Sequence, residues 1–463
     1  MKVNNFSNFF ILMSKNLGIF LIFSIISFNN CLLEIPLKPL KIKGEPKYRI
    51  KIKEPQEYSD INYINKTILI NEGVSTLNDN ILFLANVKIG SDEQTFNLVL
   101  DTGSFLLWVP IINSNDKYKI TNHYNPSTTN SETKTTKNFE QRYGTGYCSG
   151  ALYYDNFKYI KTKSFKVKFG AASVTDFNVE GGDGIIGLAH DYDDEELSFI
   201  HMLKKSKVTD SKIFSFKFEG NLDIGMKGKL YIGKHKDFSS GDSVTCPLLT
   251  FNGQANIFWA SYMSSLGLEN SKYKAESSKE KYIVIFDTGT NLIILPKFYY
   301  NNLKNKLDKF GCEGFTTKDN YVQLRCNYNN RVDFRIKVNT HVFIIPKDLI
   351  FYESGSYYYS RVVFADDSFV SGAYIIGNPF FLIFHTLFDK ENEKLHFYPI
   401  YKELLEKGSG SGSDSTSIFA IIFVLTFIIV ILGVFCYKFY QWKKVKREDI
   451  PSSNYSGYNS NFI

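Results

Sequence analysis

The chain has 463 residues, more than one hydrophobic core normally organises, and its 16% aromatic content supplies ample surface to bury. The formal net charge is +7, but no Lys/Arg-rich stripe with interleaved aromatic residues runs through the central body. The charge pattern excludes nucleic acid as the expected partner. The length favours two lobes with accessory segments at both ends.

Residues 1–31 are predicted to be a signal peptide. Lys2 and Lys15 precede an apolar run at 17–28, which has the length of a signal sequence and is too short to span a bilayer comfortably. The residues before Cys31 lack a clear small-x-small cleavage pattern, so a retained signal anchor is the alternative. Both interpretations bring the chain into the secretory pathway.

The segment 32–70 is rich in Lys and Pro and has little apolar periodicity, which by itself describes a solvated basic linker. Within it, Asn65 is followed by Lys and Thr, the acceptor pattern for N-glycosylation.

From residue 78 onward the pattern predicts an all-β body. Short runs rich in Ile, Val, Phe, Tyr and Thr alternate with clusters of Gly, Asn, Asp and Ser. We place an N-terminal β lobe at 71–240 and a C-terminal β lobe at 241–400. Helices are expected only at 195–205, at about 297–310 and near Pro379, and the polar stretch 111–138 is expected to be an exposed loop.

Two copies of one motif indicate that the lobes are related. Residues 101–104 read Asp-Thr-Gly-Ser and residues 287–290 read Asp-Thr-Gly-Thr, each after an apolar run typical of a buried strand. Roughly eighty-five residues after each Asp comes a second echo, Gly-Ile-Ile-Gly at 184–187 and Tyr-Ile-Ile-Gly at 374–377. If the lobes face each other about an approximate twofold axis, Asp101 and Asp287 meet in a central cleft.

Four cysteines remain for the folded body once the leader and the C-terminal apolar span are set aside, an even number that suits an oxidising compartment. Cys312 and Cys326 are close in sequence and are predicted to form a disulfide. Cys148 and Cys246 either pair with each other or stay free, and the sequence favours neither. No Cys-x-x-Cys or His-Glu-x-x-His pattern occurs, so we expect no metal site.

The C-terminal region is predicted to anchor the chain in a membrane. A flexible Gly/Ser tether at 401–417 leads into 418–437, an apolar span of about 20 residues that at about 1.5 Å per residue covers a bilayer core of about 30 Å. Basic residues follow at once, which predicts a cytosolic tail at 438–463. We therefore expect a single-pass type I membrane protein whose body is lumenal or extracellular, in the secretory or endolysosomal pathway or at the cell surface.

Over residues 78–400 the chain resembles the pepsin-like (A1) family of aspartic proteases, in particular its plasmepsin-like and cathepsin D-like members and the membrane-anchored type. The motifs that carry the resemblance are both Asp-Thr-Gly sequences, Trp108, Tyr-Gly-Thr-Gly at 143–146, Asp-Gly-Ile-Ile-Gly-Leu-Ala at 183–189 and the closing run 374–380. The resemblance implies an all-β, bilobal fold with a central cleft. It also implies an aspartic endopeptidase that needs no cofactor or metal, acts on peptide or protein substrates and is monomeric.

The resemblance also assigns roles to residues around the two aspartates. Asp101 and Asp287 would share one proton and activate a water, with Ser104 and Thr290 bonding their outer oxygens. The segment 32–70 would be the propeptide of a zymogen, whose lysine neutralises the carboxylates. The flap and substrate-binding residues implied in this way are Tyr143, Gly144, Thr145, Trp108, Gly103, Gly289, Ile185 and Ile285.

Two other interpretations come from different functional classes. A non-catalytic, membrane-bound protein could use the same fold to hold peptides without cutting them, and a structural surface protein would need no open cleft. The presence of both aspartates, Ser104, Thr290 and Tyr143 argues against the binding protein, because holding a peptide does not require a pair of carboxyls that share a proton.

Overall fold

The structure is a computed structural model. It describes residues 33–39, 82–143, 146–159, 163–176, 182–189, 195–221, 225–235, 238, 243–251, 254–255, 258–268, 276–366 and 373–407. The predicted signal peptide, Asn65, most of the propeptide-like segment, residues 408–417 of the tether, the span 418–437 and the tail 438–463 lie outside these residues. The chain divides into two compact units, Met1–Glu406 and Lys407–Ile463, and the fold described below belongs to the first.

The body is built almost entirely of strands, as the alternating pattern predicts. In chain order the strands are β1 (Leu33–Pro39), β2 (Phe83–Ile89), β3 (Gln94–Asp101), β4 (Trp108–Asp116), β5 (Thr133–Tyr143), β6 (Gly146–Tyr159), β7 (Phe165–Asp176), β8 (Gly184–Gly187), β9 (Ile213–Asn221), β10 (Gly225–Ile232), β11 (Val244–Pro247), β12 (Thr250–Phe251), β13 (Gln254–Ala255), β14 (Ala260–Leu268), β15 (Glu276–Phe286), β16 (Ile293–Pro296), β17 (Cys312–Thr316), β18 (Val322–Cys326), β19 (Phe334–Val338), β20 (His341–Ile345), β21 (Phe351–Ser354), β22 (Tyr357–Ala365), β23 (Ala373–Ile376), β24 (Phe384–Asp389), β25 (Lys394–Pro399) and β26 (Leu405–Lys407). The polar stretch 111–138 is less of a loop than expected, because β4 extends into it and β5 begins within it.

Within the described residues, one large sheet has the order β11-β25-β24-β9-β10-β1-β2-β3-β8-β4-β7-β6-β5. Most of its strands come from the first half of the chain, but β24 and β25 come from the end and join through β24 and β9. The strand β1 lies between β10 and β2, with Leu33 opposite Ile232 and Pro39 opposite Phe83. A strand was not predicted there, although Leu33, Ile35 and Leu37 alternate with other residues, because the Lys- and Pro-rich composition of 32–70 favours a linker.

The second large sheet holds the strands of the second half in the order β17-β18-β22-β16-β23-β15-β14-β19-β20-β26, and β21 pairs with β22 at its side. Its centre repeats the centre of the first sheet. The strand β15 runs parallel to β23, as β3 runs parallel to β8. This repetition is what the duplicated motifs predict.

Helices are few in the described residues, and the sequence found most of them: α1 (Phe199–Lys205), α2 (Lys297–Lys309), α3 (Lys347–Ile350) and α4 (Asn378–Phe381). In α2 the buried residues Tyr299, Leu303 and Leu307 recur every four positions, so one face of the helix packs on the sheet. The helix ends before Gly311, whose positive φ of 70° terminates it. The short α3 was not predicted.

The cysteine predictions are resolved by the fold. Cys312 and Cys326 form the predicted disulfide, which joins β17 to β18. Cys148 and Cys246 are both buried free thiols, so the pairing left open by the sequence does not occur. Burial raises the pKa of Cys148 above its ordinary value and that of Cys246 to about 11.

No helix among the described residues is both long and apolar enough to cross a membrane. The predicted span 418–437 is outside that set.

Candidate active site

Asp101 and Asp287 each stand at the buried end of a central strand. Asp101 is the last residue of β3, and Asp287 directly follows β15. The neighbouring parallel strands hold their backbones, since Leu188 N–H donates to the Asp101 carbonyl over 2.7 Å and Asp287 N–H donates to the Ile376 carbonyl over 3.0 Å. Both aspartates therefore sit on rigid backbone.

The two turns after these strands are locked to each other by their threonines. The Thr102 hydroxyl donates to the Phe286 carbonyl over 2.7 Å, and the Thr288 hydroxyl donates to the Leu100 carbonyl over 2.7 Å. Each hydroxyl also accepts from the backbone N–H of the other threonine, over 3.1 Å at Thr102 N–H and 2.9 Å at Thr288 N–H. Both threonines are fully buried. These four bonds join the halves of the chain at the point where the aspartates emerge.

The carboxyl oxygens have matching donors in the two turns. At Asp101 the donors are Gly103 N–H over 2.8 Å and the Ser104 hydroxyl. At Asp287 they are the N–H of the second motif glycine over 2.7 Å and the Thr290 hydroxyl over 2.6 Å. One oxygen of each carboxyl thus accepts a backbone bond and the other accepts a hydroxyl bond.

Glycine at the third position of each motif lets the two carboxyls approach. A Cβ on Gly103 would lie 2.6 Å from the carboxyl carbon of Asp287. A Cβ on Gly289 would lie 2.4 Å from Asp101 Oδ1 and 3.2 Å from Asp287 Oδ1. The distances of 2.6 Å and 2.4 Å are shorter than a Cβ atom tolerates, so the carboxyl pair occupies the space that a larger residue would fill.

Proximity and burial change the acidity of the pair. Asp101 is 5% exposed and Asp287 is 8% exposed. Burial, and next the nearby Asp287 carboxylate, raise the pKa of Asp101 well above its usual range, while the bonds from Ser104 and Gly103 oppose the rise.

The strands β5 and β6 form a hairpin beside the first aspartate, with Tyr143 opposite Gly146 at its end. The Trp108 Nε1–H donates to the Tyr143 hydroxyl oxygen over 2.7 Å, as the resemblance implies. Burial of the phenol end, followed by the proximity of Cys148 and Asp101, raises the pKa of Tyr143 well above its ordinary value. Gly144 and Thr145, the tip of the hairpin, lie outside the described residues.

A model of the eukaryotic aspartyl protease family matches residues 82–400 of the chain. The chain belongs to this family. It is 26% identical to pepsin A of Gallus gallus over 330 residues, which are 69% of this chain and 84% of that protein. It is 25% identical to plasmepsin I of Plasmodium falciparum over 387 residues, 78% of this chain and 80% of that protein. It is 29% identical to vacuolar protease A of Arthroderma otae over 245 residues, 50% of this chain and 60% of that protein.

These matches make the chain an aspartic endopeptidase with a mostly-β, pepsin-like fold. Among the described residues, no group of three or more His, Cys, Asp and Glu side chains is arranged to hold a metal ion.

The two apolar residues expected to line pockets in this aspartyl protease are buried. Ile185 is 2% exposed and packs with Val99, Leu106 and Trp108. Ile285 is 3% exposed and packs in a cluster with Leu249, Ala260 and Ala373. Each lies in the core beside its aspartate, and a role in side-chain pockets stays a prediction.

Sequence reasoning missed the roles of four buried residues at this site. The crossed bonds of Thr102 and Thr288 were not foreseen, although the duplicated motif carries the signal for them. Asn378 is fully buried, and its Nδ2 donates to the Thr288 carbonyl over 3.0 Å. Trp259 is 1% exposed, and its Nε1–H donates to the Leu188 carbonyl over 2.9 Å. The last two contacts join residues far apart in the chain, for which a single sequence gives no signal.

Proposed function

We propose that Asp101 and Asp287 act as a catalytic dyad that hydrolyses peptide bonds through an activated water. The observation that carries the proposal is the approach of two buried carboxyls across Gly103 and Gly289, with symmetric donors on both sides. A protein that only holds peptides has no need to bury two acidic groups against each other at a cost in stability.

In the proposed mechanism the pair carries one proton when the substrate enters. The ionised carboxyl takes a proton from a water held between the two groups, and the resulting hydroxide-like oxygen attacks the scissile carbonyl carbon. The protonated carboxyl donates to the carbonyl oxygen, so no free oxyanion develops. Transfer of a proton to the amide nitrogen then breaks the C–N bond, without a covalent acyl-enzyme. Ser104 and Thr290 orient the carboxyls by bonding their outer oxygens.

The hairpin of β5 and β6 is proposed to act as the flap that covers the bound peptide. The Trp108 bond to Tyr143 supports this role, because it fixes the tyrosine beside Asp101. Gly144 and Thr145 would form a tip able to open and close. Ile185 and Ile285 would back pockets for apolar substrate side chains.

We further propose that the protease is made as a zymogen and acts as a membrane-anchored processing enzyme. The pairing of β1 with β10 and β2 supports the zymogen, because a segment ahead of the family-matching region is built into the sheet. The anchor is supported by the sequence alone, through the apolar span 418–437 and the basic residues after it. On this topology the body is lumenal or extracellular.

The dyad is tested by pepstatin-sensitive cleavage of a peptide library between pH 4 and pH 7 with the Asp101→Asn and Asp287→Asn variants. We expect each variant to lower kcat by about 10³-fold or more, because each removes one of the two proton-transfer groups. Asp366→Asn is the matched control: this aspartate is exposed, pairs with Lys297 and should leave kcat unchanged. Peptide binding without turnover at any pH would favour the non-catalytic binding protein.

Anchoring is tested by expressing the full chain beside a form that ends at residue 407. We expect the full chain to remain in membranes after alkaline carbonate extraction and the shortened form to be released in soluble form. Release of both forms would remove the proposed anchor and leave the protease assignment intact.

A further inference from the structure

Trp259 lies directly before β14, in the second half of the chain, and is wedged between aromatic rings. Its indole meets Phe214 at 5.5 Å and 81° and Phe388 at 5.0 Å and 78° between ring centroids and planes. Those two rings stack on each other at 4.7 Å and 5°. Phe214 belongs to β9 and Phe388 to β24, the pair of strands through which the C-terminal strands of the body join the first sheet. The orientation of the indole is therefore fixed from two sides.

The indole N–H points at the backbone that holds Asp101. It donates to the Leu188 carbonyl over 2.9 Å, while Leu188 N–H donates to the Asp101 carbonyl over 2.7 Å. One residue, Leu188, thus separates the indole from the backbone of the first aspartate. All three groups are buried, where hydrogen bonds are strong and directional.

The backbone of the same tryptophan holds the second aspartate. The Trp259 carbonyl accepts from Phe286 N–H over 2.9 Å, and Phe286 directly precedes Asp287. The Phe286 carbonyl in turn accepts the Thr102 hydroxyl bond. Trp259 therefore contacts the backbone next to one aspartate directly and that of the other through a single residue, and so it can set their relative position.

Among the described residues, the first half has no equivalent of this indole donor. Leu84 lies opposite Val99 in β2 and β3, as Ala260 lies opposite Ile285 in β14 and β15, so Phe83 is the structural counterpart of Trp259. A phenylalanine ring has no N–H to donate, and Phe83 instead stacks on another phenylalanine ring at 4.2 Å. An indole donor at this position is specific to the second half.

We propose that Trp259 is a positioning residue for the dyad, which holds the Asp101 carboxyl at its working separation from Asp287 through the Nε1–H bond to Leu188. The inference rests on the proposed function of the dyad. It assigns to the second half a direct influence on the geometry of the first aspartate.

The test replaces Trp259 in the full chain by benzothienylalanine, which keeps the shape of the ring and exchanges the N–H for sulfur. Trp259→Phe is the genetically encoded second variant. We expect kcat to fall by about 10- to 100-fold, because small displacements of reacting groups have effects of that size, while KM stays within about twofold. Two carboxylates that lie farther apart repel each other less, which lowers the pKa of Asp101. The upper limb of the pH–rate profile should therefore move to lower pH.

Phe218→Leu is the matched control, since it removes a buried phenylalanine ring that stacks on Phe83 and Phe216 and leaves the indole, Phe214 and Phe388 in place. It should lower the melting temperature without changing kcat or the pH profile. A benzothienylalanine variant with wild-type kcat and pH profile would overturn the proposal and leave Trp259 as a core residue.

A readout independent of turnover separates this inference from the dyad proposal. The titration of Asp101 can be followed by NMR of isotope-labelled aspartate carboxyls in the wild type and the benzothienylalanine variant. We expect the pKa of Asp101 to move back toward its ordinary value in the variant. If the wild type cleaves nothing but this shift occurs, the dyad proposal fails and the positioning role stands; an unchanged titration contradicts the positioning role whatever the activity.

Discussion

The two aspartate loops, 101–104 and 287–290, are alike in their inner contacts and different in their outer ones. In both, a glycine N–H and a hydroxyl bond the carboxyl oxygens, and the threonines exchange bonds across the junction. Outside this shell, the second loop is held by Asn378 from its own half. The first loop is held through Leu188 by Trp259 from the other half, and Tyr143 lies beside it.

This comparison indicates that the two copies kept the same contacts around the carboxyls. The residues that hold the two loops from outside have diverged. Neither half contains a complete site. The first aspartate depends on an indole from the second half, while the hairpin with the tyrosine exists beside the first aspartate alone within the described residues. Matched substitutions of the symmetric contacts should therefore lower kcat to a similar extent, and substitutions of the outer contacts should not.

After the loss of an aspartate itself, the largest effect is expected from Gly103→Ala and Gly289→Ala. The added methyl groups would lie 2.6 Å from the carboxyl carbon of Asp287 and 2.4 Å from Asp101 Oδ1, so each must displace a carboxyl. We expect kcat to fall by more than about 100-fold in both variants, because the reacting groups lose their alignment. Steady-state kinetics with a fluorogenic peptide measure this.

Gly355→Ala controls for the general effect of replacing a glycine. This residue has φ of 61° with no atom within 4 Å of a new Cβ, so the change should cost about 1 kcal/mol of stability and leave kcat unchanged. A Gly103→Ala or Gly289→Ala enzyme with full activity would contradict the close approach of the carboxyls.

Smaller effects are expected from Ser104→Ala and Thr290→Val, and the pH–rate profile should distinguish the two variants. The Ser104 bond lowers the pKa of Asp101, so its loss should raise that pKa further and move the upper limb of the pH–rate profile to higher pH. Both variants should lower kcat by about tenfold, since each loses one orienting hydroxyl. An upper limb that stays in place in Ser104→Ala would show that Asp101 does not carry the shared proton.

The smallest effect concerns stability. The pKa of Asp101 in the folded state is raised above the unfolded value, so its contribution to stability is complete below the unfolded pKa of about 3.9 and is lost as pH rises through the folded pKa. An asparagine at this position does not ionise, so the Asp101→Asn variant does not lose stability in this way as the pH rises. We expect its melting temperature to exceed that of the wild type at pH 7 and to match it near pH 3.

Asp287→Asn provides the comparison for that measurement. It removes the neighbouring charge but not the burial of Asp101, which is the larger cause of the shift. Its melting temperature at pH 7 should therefore rise less than that of Asp101→Asn. Equal melting temperatures of the wild type and both variants at pH 7 would mean that the carboxyls are not strained by their proximity.

The sequence predicted what repeats and what lies close along the chain. The aspartates were found because their motif occurs twice after an apolar run, and α2 was found because its apolar residues recur at helical spacing. The disulfide between Cys312 and Cys326 was found because the two residues are near each other. All three can be recognised in the sequence without knowing which distant residues meet in the fold.

The rest depends on contacts between distant residues. Nothing near Trp259 in the sequence indicates that its indole meets the carbonyl of Leu188, and nothing in β1 indicates that β10 and β2 will accept it. Leu33, Ile35 and Leu37 of β1 do alternate with other residues, but such alternation does not indicate which strands will pair with it. The free state of Cys148 and Cys246 likewise depends on where the fold places each thiol, since Cys148 packs in one hydrophobic cluster and Cys246 in another, and spacing in the sequence does not report this.

The pairing of β24 with β9 also governs how the protein is made. Thr386 lies opposite Phe216, so the first half cannot finish its sheet until the ribosome has synthesised nearly all of the body. Sheets closed by such distant strands assemble slowly, because the chain must first form a very large loop. Until β24 is synthesised, β9 in the nascent first half has no partner on one side. An unpaired strand edge of this kind is prone to aggregation, so we expect chaperones to bind the protein at this stage of its synthesis.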